Sequence, residues 1–112
     1  MPENQSDAPV AALSVTLHPA DRGIRVVVAG EIDTSTAADL EDQLTAAIGL
    51  GQPTVVVDLA GVTFLDSSGV AELVAAYHRA ADAGVSVRVA NCSIMVRRVL
   101  EVTGVWKALT RA

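Results

Sequence analysis

The chain has 112 residues, of which 51% are hydrophobic and 3% aromatic, and its formal net charge is −5. This length is that of one ordinary domain, and the shortage of rings means that its core is packed mainly from aliphatic side chains. The acidic balance repels phosphate backbones, so the composition argues against binding to DNA or RNA.

Residues 1–12 are predicted to form a flexible tail and residues 13–112 the domain. The tail is polar and contains two prolines, and it lacks the apolar stretch of a signal peptide. The longest valine-rich stretch, residues 54–66, is well short of the ~20 apolar residues that span a bilayer. Cys92 is the only cysteine and cannot form an internal disulfide, which fits a reducing compartment and a structural role. We therefore expect a cytoplasmic protein without a membrane anchor.

The first predicted elements are two strands. Residues 13–17 and 24–30 are β-branched runs, and the segment between them contains the turn formers Pro, Asp and Gly. Together they predict an antiparallel hairpin.

The segment after Gly30 changes to a helical period. Its apolar residues fall on one face, so an amphipathic helix is expected. Thr34, Ser35 and Thr36 are candidate caps, and Thr36 with Asp39 loosely matches a capping box. The helix is expected to end at Gly49 or Gly51. The predicted buried face comprises Leu40, Leu44, Ala47 and Ile48.

Residues 54–59 form a nearly continuous apolar run, typical of a strand in the middle of a sheet that is covered on both faces. A second helix follows, with an apolar stripe over residues 70–81, Glu72 facing away from the core, and Gly84 at its end. Residues 85–90 predict another strand. The last helix is expected from about Ser93 to Gly104.

This alternation of strands and helices predicts an α/β domain with right-handed βαβ crossovers and a mostly parallel sheet, to which the hairpin adds an antiparallel strand. The carboxyl ends of parallel strands share one edge of a sheet, where ligands and partners usually bind. Two acidic loops are expected at that edge: GEIDTST, residues 30–36, and LDSSG, residues 65–69.

The Asp-Ser-Ser-Gly turn has two interpretations. Asp and Ser are preferred helix caps, so the turn may be read as structural alone. Two successive serines also allow one to cap the helix while the next points outward from its first turn. An outward hydroxyl can be modified.

Enzymatic and metal-binding interpretations find little support. A nucleophilic serine needs a histidine base, and neither His18 nor His78 is placed by sequence to take a proton from Ser68. Lys107 is the only lysine and belongs to no glycine-rich phosphate-binding motif. The carboxylates have no His or Cys cluster at ligand spacing. We therefore expect neither catalysis nor a cofactor.

Several motifs together resemble the STAS family, the domain of sulfate transporters and bacterial anti-sigma-factor antagonists. They are GEIDTSTAADLEDQL at residues 30–44, an Asp-Leu-x-Gly-Val step that begins at Asp58, the Asp-Ser-Ser-Gly turn, and a final helix with Val-x-x-x-Leu-x-x-x-Gly. The resemblance covers nearly the whole chain after the tail. It implies a four- to five-stranded mixed sheet packed with about three to four helices.

The resemblance also implies a regulatory role and its residues. Ser68 matches the serine that takes a phosphate in the family, and Asp66 and Ser67 complete the turn that contacts the partner. The implied partners are an anti-sigma-factor serine kinase and a phosphatase that resets the protein. The protein itself is expected to be a monomer or weak dimer. The full set of implied partner contacts is Glu31, Asp33, Thr34, Asp66, Ser67, Ser68, Gly69 and Glu72.

The resulting hypothesis is a partner switch. The unmodified protein binds the kinase and frees a sigma factor, and phosphorylation of Ser68 then abolishes binding. The alternative is an unphosphorylated STAS scaffold, such as an accessory subunit that binds a transporter ATPase through the same surface.

Overall fold

The computed structural model describes residues 13–111, so the predicted tail at residues 1–12 lies outside the described part of the chain. Four strands and four helices follow one another in this part. They are β1 (Leu13–Ala20), β2 (Gly23–Ile32), α1 (Ala37–Gly49), β3 (Thr54–Leu65), α2 (Ser67–Asp82), β4 (Ser86–Ala90), α3 (Ile94–Val102) and α4 (Trp106–Thr110).

The four strands form one mixed sheet in the order β1-β2-β3-β4. β1 pairs with β2 antiparallel, while β2 with β3 and β3 with β4 are parallel. The predicted hairpin, the parallel crossovers and the central position of β3 are therefore confirmed. β1 continues to Ala20, so His18 and Pro19 belong to the strand and the turn itself is Asp21 and Arg22.

The core is aliphatic, as the composition predicts. α1 packs on β1 and β2, and α2 packs on β3 and β4. The four predicted apolar residues of α1 are all buried. In α2 the buried set includes Leu73, Ala76 and Ala80. Within residues 13–111, no helix combines the length and the apolar character that crossing a bilayer requires.

β3 is twice as long as the apolar run that predicted it. Its first five residues pair with β4, from Thr54↔Ser86 to Asp58↔Ala90. Its second half pairs with β2 alone, through two irregularities in register, and ends at Ile32↔Leu65. The strand therefore carries the Asp-Ser-Ser-Gly turn beyond the end of β4.

α4 has no counterpart among the predicted elements, because a five-residue helix is too short to show a periodic pattern. Its first residue is Trp106. The ring is half-buried, and the Arg97 guanidinium lies 4.7 Å from its centroid. Arg97 lies on the exposed side of α3 and forms an ion pair with Glu101.

Asp58 is a buried carboxylate in the middle of the sheet whose role the sequence does not reveal. It accepts hydrogen bonds from the Ala60 amide at 2.9 Å and the Asn91 side-chain amide at 3.2 Å, and it pairs with the Arg25 guanidinium. Burial raises the pKa of the Asp58 carboxyl, but these bonds outweigh it and leave the pKa below its ordinary value. The carboxylate therefore links β2, β3 and the residue that follows β4.

Asp58→Ala is expected to lower the free energy of unfolding by about 1–3 kcal/mol, because the protein loses the charge-assisted hydrogen bonds that the buried carboxylate accepts. The matched variant Asp58→Asn keeps an oxygen for the Ala60 amide and should lose less. Urea unfolding followed by circular dichroism compares the three proteins. Equal losses of unfolding free energy in both variants would contradict a stabilising role for the hydrogen bond from the Ala60 amide to residue 58.

Candidate functional site

The two predicted loops meet at one edge of the sheet. Ile32 and Leu65 are the last paired residues of β2 and β3, and the Asp66 amide donates a hydrogen bond to the Ile32 carbonyl at 3.1 Å. This bond continues the pairing of the strands into the turns. The Asp-Ser-Ser-Gly turn therefore lies directly beside the loop that leads into α1.

Asp66 is the N-cap of α2. Its Oδ1 accepts hydrogen bonds from the Ser68 amide at 2.9 Å and the Gly69 amide at 3.3 Å. The same oxygen accepts a hydrogen bond from the Ser68 hydroxyl at 2.5 Å. The expectation that a serine caps the helix is therefore wrong, because the carboxylate reaches these amides from one position earlier.

The two serines differ in their surroundings. Ser67 is exposed in the first turn of α2, whereas Ser68 is half-buried. The two-serine interpretation expected a free Ser68 hydroxyl. This expectation is wrong, because the hydroxyl donates a hydrogen bond to Asp66. It nevertheless lies in the first turn of a helix at an accessible edge, rather than in the core.

Gly69 is buried and holds no side chain between the helix and the strand ends. A Cβ at this position would collide with Leu65 Cδ1 and lie 2.6 Å from Ile32 Cγ2. Glycine therefore lets α2 begin in direct contact with the ends of β2 and β3. Its place in the site is explained by close packing.

The neighbouring loop is held by its own polar side chains. Asp33 Oδ1 accepts hydrogen bonds from the amide and the hydroxyl of Ser35, at 2.9 and 2.7 Å. Thr36 Oγ1 donates to the Glu31 carbonyl at 2.8 Å and accepts from the Asp33 amide at 3.0 Å. Thr36 is the N-cap residue of α1 but makes no side-chain cap bond, so the predicted capping box is wrong. Glu31 and Thr34 are exposed.

Residues 31–34 and 66–68 are called the acidic edge below. The pKa of the Asp66 carboxyl lies below its ordinary value, chiefly because of the Ser68 hydroxyl, with both capping amides adding to the effect. Burial and the negative charge of Asp33 oppose this shift. The pKa of Asp33 is lowered as well, mainly by the Ser35 hydroxyl. Both carboxylates are therefore charged at neutral pH.

The lowered pKa of Asp66 predicts a loss of stability in acid. A carboxyl whose pKa is lower in the folded than in the unfolded protein stabilises the fold above the unfolded value, about 3.9, and loses this contribution as the pH falls through the folded value. Asp66→Asn keeps an acceptor oxygen but does not titrate. The difference in unfolding free energy between parent and variant should shrink from pH 7 to pH 2.5, measured by urea unfolding. A constant difference would contradict the assignment.

Glu72 does not face away from the core. It is 8% exposed, and the Arg79 guanidinium donates a hydrogen bond to it at 2.8 Å. Burial raises the pKa of Glu72, which Arg79 opposes and the nearby Glu41 reinforces. The predicted orientation is wrong, since Glu72 is buried and the charge of Glu41 on α1 acts on it, and so little of its surface can meet a partner.

Three large apolar side chains are exposed, although the sequence did not predict this. Phe64 is 44% exposed and pairs in register with Glu31 of the acidic edge. Ile94 and Met95, in the first turn of α3, are 80% and 49% exposed. Strand alternation could not have revealed Phe64, since Thr63 and Phe64 are both exposed between the buried residues Val62 and Leu65.

The serine turn lies at the surface, with Ser67 exposed and Ser68 half-buried. Four cavities of about 200–430 Å³ among the described residues lie elsewhere, and none is lined by Ser67 or Ser68. The largest of the four borders Tyr77, Gly104 and Lys107.

Within residues 13–111, no group of three or more His, Cys, Asp or Glu side chains is placed to hold a metal ion. Cys92 is half-buried, and burial raises the pKa of its thiol.

Comparison with known proteins agrees with this architecture. An anti-sigma factor antagonist from Mycobacterium paratuberculosis is 29% identical, with a TM-score of 0.79 over 89% of this chain and 86% of its own. SpoIIAA, an anti-sigma factor antagonist solved in its unphosphorylated form, is 21% identical, with a TM-score of 0.71 over 83% of each chain. The phosphorylated form of SpoIIAA, a Bacillus cell fate determinant, is 23% identical, with a TM-score of 0.62 over 82% of this chain and 85% of its own.

The identity to both SpoIIAA structures is low, so they establish the likeness of the fold alone. The family model described as "Mlab, STAS domain" matches residues 15–110. This match spans nearly all of the described residues, including most of β1, the other three strands, every helix and both loops of the acidic edge. The chain therefore belongs to the STAS domain family.

Proposed function

We propose that this protein is a cytoplasmic anti-sigma-factor antagonist that works as a partner switch. In its unmodified form it binds an anti-sigma-factor serine kinase, and this binding frees a sigma factor. The kinase then phosphorylates Ser68 and releases the product, and a phosphatase restores the first state. The observation that carries the proposal is the Ser68 hydroxyl, which lies in the first turn of α2 at an open, acidic edge.

The modification is a transfer of the γ-phosphoryl group of ATP. A bond forms between Ser68 Oγ and the phosphorus, and the bond from that phosphorus to the bridging oxygen of ATP breaks. ADP leaves, and the hydroxyl proton is released to solvent. ATP and the catalytic groups belong to the kinase, so the role of this protein is that of a substrate without catalysis or cofactors of its own.

The fold should tolerate the phosphate. Ser68 lies in the first turn of α2, where the partial positive charge of a helix N-terminus favours an anion. The packing of Gly69 on Leu65 and Ile32 lies beneath the turn. A group added on the outside of the turn leaves that packing intact.

Partner binding should not tolerate it. Phosphorylation adds about −1.5 to −2 charges at neutral pH, next to Asp66 and near Asp33, whose charge already acts on Asp66. A partner that covers the acidic edge in the unmodified state must place groups where the phosphate would stand. Steric overlap and repulsion from any partner carboxylate then oppose the complex.

The proposed contact surface is the acidic edge, which contains Glu31, Asp33, Thr34, Asp66, Ser67 and Ser68. Gly69 shapes this surface from below, since it is buried. Glu72 is left out because it is ion-paired with Arg79 and 8% exposed. An acidic surface of this kind calls for a partner with basic groups facing it.

Mass spectrometry of the protein incubated with the kinase and ATP tests the assignment. A single phosphate on Ser68 is expected. Thr36 is a poor acceptor because it is 5% exposed and bonded to the Glu31 carbonyl, whereas Ser67 is the exposed competitor. A phosphate mapped to Ser67 or Thr36 would remove Ser68 from its role.

The same experiment separates the proposal from a scaffold role. A STAS scaffold that binds a transporter ATPase would take up no phosphate from the kinase and would bind the ATPase tightly. Turnover of nucleotides or esters by the isolated protein would contradict both roles and indicate an enzyme.

A further inference from the structure

We propose that the outer edge of β1 is a docking site for an extended segment of a partner protein. The segment adds to the sheet as a further strand, and the side chains that it turns toward α1 are apolar and basic. This site is separate from the acidic edge and from the serine turn, and it stands whether or not a serine is phosphorylated.

β1 lies at one end of the sheet, so among residues 13–111 one of its two backbone edges has no strand beside it. Alternate residues of such a strand turn their amide and carbonyl groups outward, where they can pair with another chain. β1 has eight residues, and its pairing with β2 runs without a bulge from Leu13↔Gly30 to Ala20↔Gly23. Its outer edge is therefore regular enough to accept a further strand.

The features that usually protect an edge strand are nearly absent from β1. Its sequence, LSVTLHPA, contains no Lys, Arg, Asp or Glu, and its one proline, Pro19, lies close to the turn. The opposite edge of the sheet differs, because β4 has five residues, carries Arg88 and is in contact with α4. Charge, a short strand and a covering helix all hinder edge pairing. β1 is therefore the edge that is open to a partner.

A groove lies beside this open edge. It is a cavity of about 260 Å³ between β1 and α1, lined by Leu13, Val15, Asp39, Asp42 and Gln43. The two strand residues are half-buried, so the strand side of the groove is apolar. Successive side chains of a strand point to opposite faces of the sheet, and an added strand would place every second side chain over this groove.

The helix side of the groove determines the chemistry of the partner. Asp39 and Asp42 are exposed and lie one helical turn apart, and α1 contains no Lys or Arg. Complementary charges steer association and fix the register of an interface. The added strand should therefore set apolar side chains beside Leu13 and Val15, and Lys or Arg toward the two carboxylates.

A second copy of this chain fits the groove poorly. Its own β1 offers no Lys or Arg. Antiparallel pairing of β1 with β1 about a twofold axis would also bring both acidic α1 helices to the same side of the joined sheet, where their like charges repel. Charge thus favours a basic segment of a different protein.

Nuclear magnetic resonance of the full chain with a synthetic peptide tests the site. The probe is acetyl-KTVTVTK-amide, whose lysines and valines share one face of a strand and whose sequence reads the same in both directions. On binding, the amide shifts should move in β1 and in the first half of α1. The β1 amides that exchange rapidly with solvent in the free chain should also be slowed, because they gain hydrogen bonds to the peptide.

A rearranged peptide separates strand pairing from simple attraction. Acetyl-VKTKVTT-amide has the same composition and charge, but its lysines and valines lie on opposite faces of a strand. It cannot set both kinds of side chain into the groove at once, and it should bind at least about threefold more weakly than the probe.

Paired variants of the full chain test the acidic side of the groove. Asp39→Asn combined with Asp42→Asn should raise the Kd of the probe about threefold or more, because two exposed ion pairs are lost. Asp82→Asn combined with Glu101→Gln removes two exposed carboxylates outside the groove. Salt screens charges that are not in contact with the peptide, so this control should keep the Kd within about twofold of the parent value.

Several results would overturn the inference. They include absence of probe binding, shifts confined to the acidic edge, and β1 amides that are not slowed when the chain is saturated with probe. Equal Kd values for the two paired variants would do the same. Slow exchange along the whole of β1 in the free chain would mean that the edge is already covered. A dimer in sedimentation would then identify a second copy as the occupant, and a monomer would identify another segment of the same chain.

Discussion

The Ser68→Ala protein is expected to bind the kinase about as tightly as the parent does and to accept no phosphate. The substitution removes the acceptor oxygen, while Asp66 keeps its bonds to the amides of Ser68 and Gly69. The lost hydroxyl carries no charge, so the effect on kinase binding should be about 0.5 kcal/mol or less, which is about twofold in Kd. In the presence of ATP, the complex with Ser68→Ala should therefore persist while the parent complex dissociates.

Ser68→Asp gives the opposite result. It places a permanent negative charge beside Asp66, where it imitates part of the charge of a phosphate. We expect its affinity for the kinase to fall by about ten- to a hundredfold, since like charges brought together at an interface cost several kcal/mol at most. Isothermal titration calorimetry without ATP measures the effect for both Ser68 variants.

A charge-matched control separates position from net charge. Thr45→Asp adds the same charge on the exposed side of α1, outside the acidic edge, and should leave the affinity within about twofold of the parent. Equal affinities for the parent, Ser68→Ala and Ser68→Asp proteins would sink the partner switch. A weakened Thr45→Asp protein would show that net charge, and not position 68, controls binding.

Gly69→Ala should destabilise the protein and disturb the site at the same time. The added methyl group collides with Leu65 and approaches Ile32 to 2.6 Å, so these two side chains must move or α2 must shift away from the strand ends. Overpacking of this kind costs about 1–3 kcal/mol. The shift also moves Ser68 relative to the loop at Asp33, and kinase binding should weaken with it.

The control for this substitution is Gly49→Ala, in the last turn of α1. No atom lies within 4 Å of a Cβ built there, and alanine is the better helix former by up to about 1 kcal/mol. Gly49→Ala should therefore be neutral or slightly stabilising in urea unfolding. A Gly69→Ala protein as stable as the parent, with unchanged kinase affinity, would contradict the close packing at the start of α2.

Local patterns in the chain determined the type and order of most elements. Apolar residues at helical spacing predicted α1 and its buried face, including Leu40 and Leu44, and these residues are buried. Gly51 and Gly84 mark the ends of the first two helices with φ angles of 74°, as expected for glycine after a helix. These predictions succeeded because each depends on neighbours within a turn or two of the chain.

Features that depend on residues far apart in the chain were either not predicted or predicted wrongly. The second half of β3 is a strand because it pairs with β2. Glu72 is buried and close enough to Glu41 of α1 to be affected by its charge, although its position in the helical pattern predicts exposure. Asp58 reads as a polar interruption of an apolar run, yet it is the shared acceptor for Arg25 and Asn91, each 33 residues away.

The site shows the same division. The sequence by itself determined that an acid, two serines and a glycine stand between a strand and a helix, and parallel strands then bring this turn to the edge that also holds Asp33. Only the tertiary structure decided that Asp66 caps the helix and that its carboxylate also accepts a hydrogen bond from the Ser68 hydroxyl. The same is true of Gly69, which allows α2 to pack directly on Leu65 and Ile32. A choice between neighbouring oxygens for the same amides depends on ångström-scale placement of the helix on the sheet, and that placement is set by packing between segments far apart in the chain.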